Sequence, residues 1–370
     1  MASYYGTNLN DYLSGSKFDD LFYGYNGNDF FKAGAGNDRM YGGLGNDMFD
    51  AGPGNDYMYG GDGHDTFSGE EGNDFIDAGA GDDHILGDAG DDIIYGGAGR
   101  EYIDAGYGND IIHAGDGDDG YNGQIDPTTG KATIQAVGGG AGNDTIYGEG
   151  GNDLLKGQSG DDKVYGGIGD DRVDGGDGNN YMEGNDGNDI IDSETGTDIA
   201  YGGSGNDRIS VGGGNDRVSG GTGADSISGE DGNDSLSGDD GNDTIYAGSG
   251  DDKVFGGKGN DILFGETGND DLYGGSGADR FVFKGASATD GGKDQIFDFE
   301  DGVDRISFEK LGIDEYRSGG GNGTAYAHDS GDNVVIDAVT SSGVKFSVEI
   351  VDTDHNLTAA NFSSSDFLFA

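Results

Sequence analysis

The sequence predicts an all-β parallel solenoid whose coil is two nine-residue repeats, closed on its C-terminal side by a segment of longer strands. Three observations carry this. From Asp144 to Asp279 one key position returns every nine residues as Asp, with Asn at 180; Gly stands two residues before it and an apolar residue two after. Aromatic residues at one outward position return in steps of eighteen, as in Tyr23, Tyr41 and Tyr59. After Asp279 the repeat stops and longer alternating stretches begin.

A clean repeat reads Gly202-Gly203-Ser204-Gly205-Asn206-Asp207-Arg208-Ile209-Ser210. Its Gly-rich half calls for backbone with φ > 0 or for close backbone approach. The apolar residue with one neighbour on each side is the smallest possible strand, its side chain inward and its neighbours outward. Each repeat therefore reads as a six-residue turn followed by a three-residue strand. Two repeats close one coil with a strand on each side, and an aromatic period of eighteen supports the same count. Asp is a hard oxygen ligand, so its recurrence in the turn marks it as a candidate calcium ligand.

The pattern resembles the RTX calcium-binding nonapeptide G-G-x-G-x-D-x-U-x. That resemblance implies a right-handed parallel β-roll with Ca2+ held between the turns of successive coils. Carried onto the matching positions, it implies many metal ligands. In the first half they are Asp29, Asp38, Asp47, Asp56, Asp65, Asp74, Asp83, Asp92, Asp110 and Asp119. In the second they are Asp144, Asp153, Asp162, Asp171, Asp189, Asp198, Asp207, Asp216, Asp225, Asp234, Asp243, Asp252, Asp261, Asp270 and Asp279. Two positions depart from the pattern. Arg100-Glu101 replaces the usual Asn-Asp, and a cation beside a longer acid should weaken calcium there. Asn180 keeps an amide oxygen but loses a charge. Drift at a tolerated position is the simpler reading of both.

Composition narrows the function. With 82 Gly, 73 acidic and 19 basic residues, the net charge is −54, which excludes non-specific nucleic-acid binding as a main role. Such a charge argues for disorder without metal. One inward apolar side chain per nine residues is a thin core, so folding and calcium binding are expected to be a single process. There is no Cys, hence no disulfide and no thiolate site. No apolar stretch of signal-peptide type follows Met1, and no run is long enough to span a bilayer.

Taken in order, residues 1–22 read as a cap of degenerate repeats, with Leu9 and Phe18 where Gly belongs. Residues 23–123 form a first repeat block. Its inward positions start in the cap with Leu13 and Phe22, then run through Phe31, Met40, Phe49, Met58 and Phe67 before turning mostly to Ile. Residues 124–137 are an insert that alternates around Asp126-Pro-Thr-Thr-Gly130, expected to project as a hairpin that is either a recognition loop or a tolerated insertion. Residues 138–283 form the second block. The outward aromatics are Tyr23, Tyr41, Tyr59 and Tyr95, then Tyr147, Tyr165, Tyr201, Phe255 and Tyr273. They read either as a stack that ties coils together or as a platform for sugar rings or a partner.

Residues 284–370 read as a C-terminal cap. The strands expected around this segment are Arg280–Phe283, Asp294–Phe299, Asp304–Phe308, Asn333–Asp337 and Val344–Val351, with a turn at Glu300–Gly302. The segment resembles the C-terminal part of serralysin-type secreted proteins. This implies that it closes the roll and carries a type I secretion signal, ending in Asp366-Phe-Leu-Phe-Ala370.

No catalytic constellation emerges. The five His, at 64, 84, 113, 328 and 355, never form H-E-x-x-H, no Ser sits in G-x-S-x-G, and no P-loop is present. His64, His84 and His113 read as solvated structural residues. The expectation is a non-enzymatic calcium-binding protein, exported by a type I exporter from a Gram-negative bacterium and folding outside the cell. An adhesin, matrix or host-interaction role leads. The chain also resembles rhizobial calcium-binding nodulation proteins, which implies membrane activity as an alternative. A carbohydrate-binding module, like the repeats of mannuronan epimerases, is a third reading. Expected partners are calcium, the exporter, and a polysaccharide or a host or cell surface.

Overall fold

The computed structural model describes residues 1–120, 136–284, 292–311, 313, 315–317, 323–331, 333–352 and 357–369. All regular structure among them is β. The chain forms two compact units, Met1–Glu194 and Thr195–Ala370.

In the first unit the chain alternates between two parallel sheets. One sheet stacks Leu21–Asn26, Arg39–Leu44, Tyr57–Asp62, Phe75–Ala80 and Ile93–Ala98. The other stacks Phe30–Lys32, Met48–Asp50, Thr66–Ser68 and His84–Leu86. Partners such as Leu21 with Arg39 and Phe30 with Met48 are one coil of two repeats apart. The three-residue strand expected from the sequence is present at these four places on the second face, although Tyr102–Tyr107 and Leu154–Ser159 of the same face run six residues. On the first face the strand runs six residues, which corrects the uniform six-residue turn. There the chain skips one residue of the ladder, Gly42, and resumes pairing at Gly43 with Gly61 and at Leu44 with Asp62. Gly43 does this at φ +117°, a conformation open to Gly at little cost.

The insert does not disturb this register. Ile111 pairs with Thr145 and Ile112 with Ile146, the same in-register parallel ladder as in the other coils. Of the expected 124–137 hairpin only Ala136 and Val137 are described; residues 124–135 lie outside the described residues. Val137 opens the strand Val137–Ala141.

The second unit repeats the scheme. Arg217–Thr222, Ser235–Asp240, Lys253–Lys258 and Asp271–Ser276 stack on one face; Ser226–Ser228, Thr244–Ser249, Ile262–Thr267 and Arg280–Lys284 stack on the other. The C-terminal segment continues both sheets. Asp294–Ile296 pairs in parallel with the strand at Asp271 and then with Lys345–Ile350. An antiparallel meander follows through Asn333–Val339 to Thr324–Ser330. On the other face Arg305–Glu309 receives Phe367–Phe369. The strands Thr324–Ser330 and Phe367–Phe369 are additions to the sequence reading, in which the latter was part of the export tail.

The predicted inward residues form the core. Phe22, Phe31, Met40, Phe49, Met58 and Phe67 are fully buried, and so are Ile146, Leu155, Val164 and Leu272. Leu13 is only half-buried, because no coil lies beyond it. Phe31, Phe49 and Phe67 stack nearly parallel at 4.8 and 4.6 Å. The first turn position also faces inward, and Ala33, Ala51, Ala78, Ala105, Ala114 and Val211 there add a second buried side chain.

Outside, the rings that recur in steps of eighteen form a ladder. Tyr5, Tyr23, Tyr41 and Tyr59 stack at 5.6, 5.1 and 4.9 Å. Asp77 would interrupt it, and Phe75 bridges the gap from Tyr59 to Tyr95. The ladder resumes through Tyr95, His113, Tyr147 and Tyr165 at 4.8–4.9 Å. In the second unit Phe255, Tyr273 and Phe297 stack at 4.7 Å.

Candidate metal centres

Each key Asp sits at the end of a Gly-rich turn, at the corner where one sheet hands over to the other. Parallel stacking then places one such Asp directly above another in each successive coil. Every predicted ligand from Asp29 to Asp279 is buried, at 0–3% exposure. A carboxylate so placed must be stabilised by something other than water.

One oxygen of each has a fixed partner. Asp47 Oδ1 accepts the Asp29 N–H at 2.7 Å, Asp56 Oδ1 accepts the Asp38 N–H at 2.6 Å, and Asp171 Oδ1 accepts the Asp153 N–H at 2.8 Å. Across the insert, Asp144 and Asp153 do the same for Asp110 and Asp119. In the second unit Asp225 and Asp243 serve Asp207 and Asp225. The key Asp is thus a staple between coils as well as a candidate ligand.

The other oxygen is different. At Asp29, Asp47, Asp92, Asp153, Asp216 and Asp261, as along the rest of these rows, Oδ2 is buried and meets no hydrogen-bond donor. Other oxygens crowd it. The Cβ position of Gly24 touches Asp29 Oδ2 and lies 2.8 Å from the Gly42 carbonyl oxygen of the next coil; at Gly42 the same point touches Asp47 Oδ2 and lies 2.6 Å from the Gly60 carbonyl oxygen. Electron-rich atoms converging without a proton between them is the arrangement a hard cation completes. Among the described residues no three His, Asp or Glu side chains come together as a metal-binding group. The candidate ligands are therefore single carboxylates, with turn carbonyls beside them.

Electrostatics agree. Burial pushes the carboxyls of Asp47, Asp56 and Asp74 up to about 7, and those of Asp92 and Asp153 up to about 8, against the backbone hydrogen bond that lowers each. Neighbouring carboxylates in the row push the same way. Coils are roughly 4.8 Å apart, and two charges at that spacing repel by roughly 1 kcal/mol in water and about 3 kcal/mol at a partly buried site. An un-neutralised row is unfavourable in this fold, and divalent cations in the turns would remove the conflict.

The ends of the rows close differently. Asp11 Oδ2 accepts the Thr7 N–H and hydroxyl, and Asp20 Oδ2 accepts the Ser16 N–H and hydroxyl, at 2.6–2.8 Å. In the second unit Asp304 Oδ2 accepts the Glu300 N–H at 2.8 Å, and Asp366 Oδ2 accepts the Ser363 N–H at 2.6 Å. These carboxylates are satisfied within their own turns. At Glu101, by contrast, both carboxylate oxygens are buried without a donor, and burial beside Asp119 pushes the acid up to about 10.

Sequence reasoning missed a second staple, at the Asn or Asp that precedes most key Asp residues. Asn28 Oδ1 accepts the Asn46 N–H, Asn37 Oδ1 the Asn55 N–H and Asn55 Oδ1 the Asn73 N–H, all at 3.1 Å. This series points up the coils where the Asp series points down. The recurring Asn-Asp pair was its visible signal. His64 takes one rung: its Nδ1 accepts the Asp82 N–H at 2.7 Å. His113 lies inside the aromatic ladder and pairs with Glu149 at 2.9 Å. His84 is half-buried, with burial holding its imidazole below the usual range and Nδ1 meeting no donor or acceptor. The reading of His84 and His113 as solvated gives way to these packed positions.

The outward ladder covers its own ring faces. Rings stacked at 4.8–5.1 Å present edges and hydroxyl groups to solvent, so the interior of the ladder offers little flat surface to a sugar.

Comparison with known proteins adds the family. The model of the RTX calcium-binding nonapeptide repeat (4 copies) matches in overlapping windows that cover residues 5–126 and 138–281. No curated protein matches the chain. Among solved structures, the AlgE6R2 subunit of a mannuronan C5-epimerase from Azotobacter vinelandii is 27% identical, over 41% of this chain and 91% of that one, with a TM-score of 0.25. The AlgE6R3 subunit from the same organism is 25% identical over 49% and 80%, with a TM-score of 0.23. The extracellular lipase LipA of Serratia marcescens is 19% identical over 62% of this chain and 45% of its own, with a TM-score of 0.19.

Proposed function

Because this chain belongs to the family of RTX calcium-binding nonapeptide repeat proteins, we propose that it is a secreted, non-enzymatic protein that folds by binding many Ca2+ ions outside the cell. The observation that carries this is the row of buried Asp Oδ2 atoms with no donor, repeated coil after coil. The key Asp carboxylates, with the turn carbonyls around them, would hold the ions. Bound calcium supplies the positive charge that lets these carboxylates stay ionised while buried. The donor set is all oxygen, which suits calcium rather than softer metals.

Extracellular calcium is in the range of weak oxygen-ligand sites. A chain of this charge would stay unfolded where calcium is scarce, which suits passage through an exporter of type I. No helix among the described residues is long and apolar enough to cross a membrane. An adhesive or matrix role is favoured over a sugar-stacking module, because the outward rings are engaged with one another.

The test is a calcium titration of the full chain after chelation, followed by far-UV circular dichroism and bound-ion count. A coil-like spectrum in chelator that becomes β-rich as many ions bind supports the reading. A β-rich spectrum that chelator leaves unchanged overturns it. Secretion is checked by export from cells with and without a type I exporter.

A further inference from the structure

We infer that the turn ending at Asn180 is a built-in metal-free joint, in which the side-chain amide takes the place that an ion takes elsewhere in the row. The inference rests on the calcium reading above but concerns one turn that departs from it.

Asn180 is buried at 2% exposure, like the Asp residues around it. Its Oδ1 accepts the Asp162 N–H at 3.0 Å, the staple every repeat makes. That bond fixes the orientation of the amide, because a backbone N–H needs the oxygen. Nδ2 therefore stands where Asp has its donor-less Oδ2. It donates to the Gly176 carbonyl at 3.3 Å, the Gly178 carbonyl at 3.4 Å and Ser193 Oγ at 3.3 Å. Two of these are carbonyls of its own turn and the third is a hydroxyl of the next coil. A carboxylate oxygen facing them is unfavourable without a cation; an NH2 group shares its two N–H bonds among them.

The second observation lies one coil on. Ser193 holds the first turn position, which is Gly, Ala or Val in every other repeat. Its Oγ accepts from Asn180 and donates to the Gly176 carbonyl at 3.3 Å. The two departures from the repeat are thus partners in one hydrogen-bonded cluster. Drift at a tolerated site explains a lost charge at 180 but not a matching hydroxyl across the coil boundary. The joint is neutral and closes its turn without calcium.

The experiment uses the full chain and three forms: wild type, Asn180→Asp, and Asn180→Asp with Ser193→Gly. Calcium per chain is counted at saturation by elemental analysis after equilibrium dialysis, with circular dichroism confirming β-structure in each. The expected result is one more ion per chain in the double variant than in wild type. An equal count in all three overturns the inference, and so does a double variant that fails to fold in saturating calcium, since Asp would then not complete a site there. If wild type itself binds no calcium, the broader function fails instead.

Discussion

The sharpest prediction compares two glycines three residues apart. Gly223 occupies the fourth turn position, with φ at +135°, and Gly220 the first, with no left-handed φ. A Cβ at Gly223 would overlap the Gly205 carbonyl of the coil before it, whose carbon lies 2.5 Å away. Holding a non-Gly residue in that conformation costs roughly 1–3 kcal/mol, and forcing backbone apart adds about as much. Gly223→Ala should therefore destabilise by roughly 3 kcal/mol or more. Gly220→Ala also creates a contact, touching Asp225 Oδ2 and lying 2.9 Å from the Gly238 carbonyl oxygen. Yet Ala33, Ala51, Ala78 and Ala247 occupy the equivalent place fully buried, so the Asp side chain can give way. Its expected cost is under about 1 kcal/mol. Urea unfolding in saturating calcium, followed by circular dichroism, reads the difference. At an m-value of roughly 3 kcal/mol per molar, Gly223→Ala lowers the midpoint by about 1 M or more. A wild-type midpoint for Gly223→Ala, or equal shifts for the two variants, refutes the close-approach argument.

Three further outcomes follow from the same structure. In chelator, acid should do part of calcium's work. The carboxyls of Asp92 and Asp153 titrate at about 8 in the fold and near 3.9 unfolded, so the fold binds more protons and its stability is fully present below about pH 4 and lost as pH rises through about 8. The chelated chain should be more β-structured at pH 5 than at pH 8, and identical spectra would contradict this. Phe49→Ala removes a fully buried ring between Phe31 and Phe67 and should cost about 3–5 kcal/mol in a calcium-saturated urea melt. Tyr41→Ala removes two stacked neighbours at 5.1 and 4.9 Å, and should cost about 1–3 kcal/mol in the same assay; no change would return the ladder to a surface feature.

The nine-residue phase made the key Asp positions, the inward residues and the eighteen-residue coil legible, because each is a one-residue rule repeated many times. What stayed hidden depends on relations between coils. The role of Asn28, Asn37 and Asn55 is set by an N–H one coil away, which no local pattern states. His113 keeps the phase of eighteen from Tyr95, but an imidazole is not a Tyr or Phe, and the insert moves its next partner to Tyr147. Thr324–Ser330 carries few large apolar residues and becomes a strand by pairing with Asn333–Val339. Phe367–Phe369 read as a tail since nothing in its own residues names Ile306–Phe308 as its partner. At Asn180 the sequence showed a missing charge, while its meaning lay in Ser193.

The self-closed carboxylates at the row ends have a consequence for how the chain assembles. An interior coil is finished only when the next one offers its N–H groups and turn oxygens, so it behaves like a layer added to a growing crystal. Asp304 and Asp366 need no such layer, since Glu300 and Ser363 complete their turns locally. The C-terminal segment, like the turns of Asp11 and Asp20, is thus a boundary layer whose carboxylates ask nothing of a further coil, while its Asp304 still offers the oxygen that the Asp279 N–H requires.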